Sequence, residues 1–182
     1  MKLLRQMADV NSYDKNGRTS VWYAAGNGHE RIVRLLLQRK ADANISDKNK
    51  YTPLLWTAHN GRESVARTLL EPRHNGDVDS QDDEGKTPLC YAARSGHNEV
   101  VKLLVEKGAD ANRVDKMGHT PLFWAAGNGH AETVRSLLSC KGICIEARDK
   151  RVLSSCTVSS VGDPSGRPGP SDSLQGRHTI AN

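Results

Sequence analysis

Residues 119–130 read HTPLFWAAGNGH, and residues 86–97 read KTPLCYAARSGH. Two weaker copies lie upstream, RTSVWYAAGNGH at 18–29 and YTPLLWTAHNGR at 51–62. Each copy has a local physical logic. The threonine supplies an oxygen that caps a helix. Proline suits the first helical position, where its missing N–H is not needed. Paired small residues such as Ala92-Ala93 let a neighbouring helix approach closely. Gly28, Gly61, Gly96 and Gly129 stop the helix where a positive φ is wanted.

Working outward, each copy follows a turn: DKNGRT (14–19), DKNKYT (47–52), DDEGKT (82–87) and DKMGHT (115–120). The starts at Asp14, Asp47, Asp82 and Asp115 are 33, 35 and 33 residues apart. After each glycine comes a second segment with apolar residues at helical spacing, as in Val100, Val101, Leu104 and Val105, with charged residues between them. That pattern predicts one buried stripe and one wet face. Repetition at this period marks a stacked array in which each unit buries its faces against its neighbours.

These motifs, together with EVVKLLVEKGADAN at 99–112, resemble ankyrin repeats over residues 1 to about 150. The resemblance implies an all-α solenoid of helix–turn–helix units joined by β-hairpin-like loops. The expected division is a partial repeat at 1–13, repeats at 14–46, 47–81, 82–114 and 115–148, and an aborted repeat with a tail at 149–182.

The pattern breaks in places. Ser20 replaces proline in the first repeat; Lys50 replaces glycine and Arg62 replaces histidine in the second. The closing turn of the second repeat is two residues longer and contains Pro72, which predicts an early helix stop and a looser loop. Residues 152–182 are rich in Ser, Gly and Pro without periodicity, which reads as disorder. A half-unit at one end and an undeveloped fifth unit at the other suggest a truncated or altered product of a longer array.

Composition narrows the function. The 182 residues carry a net charge of +5. The excess is spread along the chain and includes no dense basic stripe, which argues against a nucleic-acid partner. No apolar run approaches the length of a membrane span, and the N-terminus lacks the apolar core of a secretory signal. Four scattered cysteines form no framework, so the expected setting is intracellular and reducing, cytoplasmic or nuclear.

No catalytic, cofactor or metal constellation emerges, and the expectation is a non-enzyme without cofactors. Gly26-Asn27-Gly28 and Gly127-Asn128-Gly129 read as inter-helix turns. Cys140 and Cys144 have only Cys156 and His178 downstream as further ligands, a poor zinc set. His29, His97 and His130 recur once per unit, which suggests structural hydrogen bonding within each turn. Tyr23, Trp56, Tyr91 and Trp124 form a ladder best read as packing between first helices, with ring edges available to a partner.

Proteins of the family that this chain resembles usually meet partners on the concave side, formed by hairpin tips and first helices. Carried over position by position, the partner-contact candidates are Lys15, Arg18, Lys48, Tyr51, His59, Lys86, Arg94, Met117 and His119. The expected function is therefore a protein-binding adaptor or scaffold, with a partner presenting an acidic stretch to the first two repeats. The alternatives are a truncated fragment of a larger ankyrin-repeat signalling protein without its own activity, or a weak nucleic-acid binder. Uncapped ends would also favour self-association.

Overall fold

The computed structural model describes residues 9–140, 142 and 143. It contains eight helices among those residues: α1 Ser20–Gly26, α2 Glu30–Gln38, α3 Pro53–His59, α4 Glu63–Leu69, α5 Pro88–Ser95, α6 Asn98–Glu106, α7 Pro121–Gly127 and α8 Ala131–Leu138. The odd-numbered helices stack on one another as one layer and the even-numbered helices as a second. Each odd helix also packs on the even helix that follows it. The result is a two-layer, all-α repeat solenoid.

Helix starts follow the threonines. Thr19, Thr52, Thr87 and Thr120 each accept a hydrogen bond of 3.2 Å at Oγ1 from the backbone N–H three residues on. Proline occupies the opening of α3, α5 and α7. The even helices lack such caps, but each carries a glutamate in its first turn, favourable at the positive end of the helix dipole. Gly28, Gly61, Gly96 and Gly129 separate the helices with φ between 66 and 80°.

The core runs between the layers. Leu54, Leu55, Leu69, Leu89, Leu103 and Leu104 are fully buried, with Ala25, Ala58 and Ala93 at the close odd-helix contacts.

The hairpins hold together through their aspartates rather than through strands. Oδ1 of Asp14, Asp47, Asp82 and Asp115 each accepts two backbone N–H groups, two and four residues on. Among the described residues the only β feature is an isolated bridge between Tyr13 and Thr19. Neighbouring turns are tied directly: Lys48 N–H donates to Asn16 O (2.9 Å), Asp83 N–H to Asn49 O (3.2 Å) and Lys116 N–H to Glu84 O (2.9 Å).

The second repeat differs from expectation. Its even helix does stop early, at Leu69. The longer turn after it is bonded rather than loose. His74 Nδ1 donates to Thr68 O at 2.7 Å, and Gly76 N–H donates to Leu69 O at 3.2 Å. These bonds satisfy carbonyls that the shortened helix leaves open.

The recurrent histidines also differ from expectation. His97 and His130 bond between repeats, not within a turn. His97 Nε2 donates to His59 O (3.0 Å), and His130 Nε2 donates to Arg94 O (2.9 Å). A carbonyl only accepts, so Nε2 carries the proton in both rings. Each ring lies against the preceding unit's glycine, where a Cβ on Gly61 or Gly96 would come within 2.6 Å. At the first joint, where Arg62 replaces histidine, Asn60 Nδ2 donates to Gly26 O at 3.3 Å.

The expected partial repeat lies mostly, and the tail wholly, outside the described residues, as do Cys144, Cys156 and His178.

Candidate functional site

The face made by the hairpins and odd helices carries two aromatic clusters. The first spans repeats one to three. Trp22 and Trp56 stack with centroids 5.3 Å apart, and Trp56 stacks in turn on His59 at 5.4 Å. Tyr51 packs edgewise on Trp56 and on Tyr91 (6.1 and 5.1 Å), and His59 meets Tyr91 edgewise at 5.5 Å.

Trp56 reaches this stack because residue 26 is glycine. A Cβ there would fall 1.7 Å from Trp56 Cδ1. The equivalent positions in the next two repeats hold His59 and Arg94. Trp22 Nε1–H donates to Tyr51 O at 3.0 Å, fixing the first indole against the second hairpin. The Arg18 guanidinium lies 4.7 Å above the Trp22 ring, and its Nε is 3.7 Å from Asp47 Oδ2.

Arg18, Trp22, Tyr23, Asn27, Asp47, Asn49, Tyr51 and Trp56 together line an open groove of about 390 Å³ between the first two repeats. Burial pushes the Tyr51 hydroxyl up to about 12, so it stays protonated at neutral pH. Burial also lowers the His59 imidazole below its ordinary value, helped by the nearby positive Arg94 and by His97. His59 is therefore a neutral ring in this stack.

The second cluster spans repeats three and four. Lys86 Nζ and the Arg94 guanidinium both lie 5.1 Å from the Trp124 ring centroid. Trp124 Nε1–H donates to Asp115 Oδ2 at 3.0 Å, and His119 stacks on Phe123 at 4.0 Å. Met117 projects from the hairpin beside it, 63% exposed.

The candidate contacts separate accordingly. Arg18, Tyr51 and His59 meet in the first cluster; Lys86, Arg94 and His119 meet in the second. Lys15 and Lys48 stand exposed on the first two hairpins, outside both. Lys86 is 8% exposed, and its amine is paired with Glu84, so it acts on its surroundings through the rings beneath it.

The aromatic ladder serves packing and surface together. Tyr91 is buried and donates to Asp82 Oδ2 at 2.6 Å, whereas Tyr23 is exposed and donates to Asp14 Oδ2 at 3.0 Å. The contact set carried over from the resemblance did not include Trp22, Trp56 or Asp47, although all three line the groove. In the sequence Trp56 registered only as a rung of the ladder and Asp47 only as the start of a turn.

Among the described residues, no group of three or more His, Cys, Asp or Glu is placed to hold a metal ion. Cys90 is buried, and burial raises its thiol pKa, which makes it a packing residue rather than a nucleophile.

A family model for ankyrin repeats, built on three copies, matches residues 1–82 and again residues 73–149. The chain belongs to the ankyrin-repeat family. No curated protein matches it. Ankyrin repeats are in general protein–protein interaction modules, typically without enzymatic activity. No helix among the described residues is long and apolar enough to cross a membrane.

Proposed function

We propose that this ankyrin array is an adaptor that binds another protein through its concave, hairpin-and-odd-helix face. One observation carries the reading. That face carries cations set over rings, Arg18 4.7 Å from Trp22 and Arg94 5.1 Å from Trp124. Aromatic and arginine side chains contribute most of the binding energy at protein interfaces. They are held here by stacking and by hydrogen bonds, so little side-chain freedom is lost on association. The exposed Lys15 and Lys48 on the first two hairpins favour a partner with an acidic stretch there, mainly through orientation and association rate.

The test uses a partner captured from source-cell lysate by the tagged chain and identified by mass spectrometry. The Tyr51→Ala/Met117→Ala double variant, first checked by thermal melting for a retained fold, is expected to lose that partner by about tenfold or more in Kd. Unchanged binding by the folded double variant would remove the concave face from consideration. Capture of chaperones alone by both baits would instead favour a fragment without its own activity.

A further inference from the structure

We propose that the groove between the first and second repeats is a socket for one carboxylate side chain, an aspartate or glutamate carried on an extended partner segment whose flanking apolar residues lie on Trp56 and Tyr51. This rests on the protein-binding reading above and names what the partner must bring.

The argument begins with Arg18. Its guanidinium is held in place by stacking on Trp22. Its Nε is buried on the side of Asp47, whose Oδ2 it pairs with at 3.7 Å, while a third of the side chain stays exposed in the groove. The other oxygen of Asp47 already accepts from the backbone of Asn49 and Tyr51. The neighbouring Tyr23 hydroxyl donates to Asp14 and sets its oxygen against the Arg18 guanidinium. A planar guanidinium positioned in this way matches the geometry of an incoming carboxylate. The side-chain amides of Asn27 and Asn49 line the same groove without a bond to the described residues, and so add two further sets of donors.

Charge selects a single negative group. Arg18 and Asp47 nearly cancel, and the basic excess is supplied by Lys15 and Lys48 outside the groove. A monoanion suits that balance, whereas a dianionic phosphate would meet about twice the repulsion from Asp47.

The next groove along is a built-in contrast. Asn49, Tyr51, Asp82, Asp83, Glu84 and Tyr91 line about 240 Å³, and the nearby Lys86 is closed by Glu84. It offers acceptors where the first groove offers donors, so an acidic residue is placed by the first joint and turned away from the second.

The experiment pans a random peptide library, displayed on phage, against the full chain, then titrates the enriched peptides as synthetic ligands. Enriched peptides are expected to share an Asp or Glu beside an apolar residue. Changing that acid to its amide, or Arg18→Gln in the chain, should each weaken Kd by about tenfold or more, and both together no more than either alone. Arg18→Lys keeps the charge without the fork and should fall between. An unchanged melting temperature for the Arg18 variants ensures that a loss is not unfolding. Peptides without an acid, peptides indifferent to Arg18, or no enrichment at all would each overturn the socket. Peptides indifferent to Arg18 but lost with Tyr51→Ala/Met117→Ala would leave the concave-face reading standing; peptides indifferent to both would end it too.

Discussion

Gly26 is a glycine without a backbone reason. It is the last residue of α1 and has no positive φ, and glycine in a helix is a poorer helix former than alanine. What it provides is space for the Trp56 ring. Gly26→Ala should therefore reverse the usual gain from removing a helical glycine, destabilising the chain by about 1–3 kcal/mol through overpacking. Urea denaturation followed by tryptophan fluorescence reads both the stability and the displaced indole; a stabilised variant with an unchanged spectrum would contradict this. His59 belongs to the same stack. Its folded pKa lies below the ordinary 6.5, because burial and Arg94 oppose the charged form. The unfolded chain thus takes up the proton first, and the contribution is complete above the unfolded value and lost as pH falls below it. The urea midpoint should drop from about pH 7.5 to about pH 5.5, and His59→Gln should make that slope shallower. An identical slope would show that another histidine carries the effect.

At the scale of the element, the turn between repeats has one recipe executed four times: an aspartate closing two backbone N–H groups and a residue with positive φ at its tip. Gly17, Gly85 and Gly118 fill that tip at φ 76 to 88°, and Lys50 fills it at φ 60°. A lysine pays for that conformation, and its exposed pairing with Asp83 at 3.4 Å returns little. Lys50→Gly should raise stability by about 0.5–1 kcal/mol, read as a higher urea midpoint with an unchanged slope. A loss would mean that the lysine side chain, not the backbone, is what the turn requires.

Across the whole molecule, burial is greatest in the middle of the stack. Val65 and Val100 are fully buried, while Ile32, at the same position of the first repeat, is 49% exposed among the described residues. Leu55 and Cys90 are likewise buried where Phe123 in the fourth repeat is exposed. Stability in a stacked array is a sum of units and joints, so the units covered on both faces should open last. Amide hydrogen exchange is expected to be slower in α3 to α6 than in α1, α2, α7 and α8 by about tenfold or more. Uniform exchange across the eight helices would indicate one cooperative unit.

The sequence by itself determined the unit. Thr caps, prolines, small pairs and glycines act over a few residues of backbone, so each helix and turn can be read from its own stretch. Even the shortened α4 follows from nearby Pro72. Only the tertiary structure decided what meets across a joint. The groove joins Arg18 and Trp22 to Tyr51 and Trp56, a repeat away along the chain. His97 and His130 reach back to a carbonyl of the preceding unit, which periodicity registers only as recurrence. Lys86 looks like any hairpin lysine until Glu84, Tyr91 and Trp124 are placed around it. The physical reason is the same in each case: local rules set the backbone of one repeat, while the chemistry of this face depends on which side chain its neighbour leaves room for.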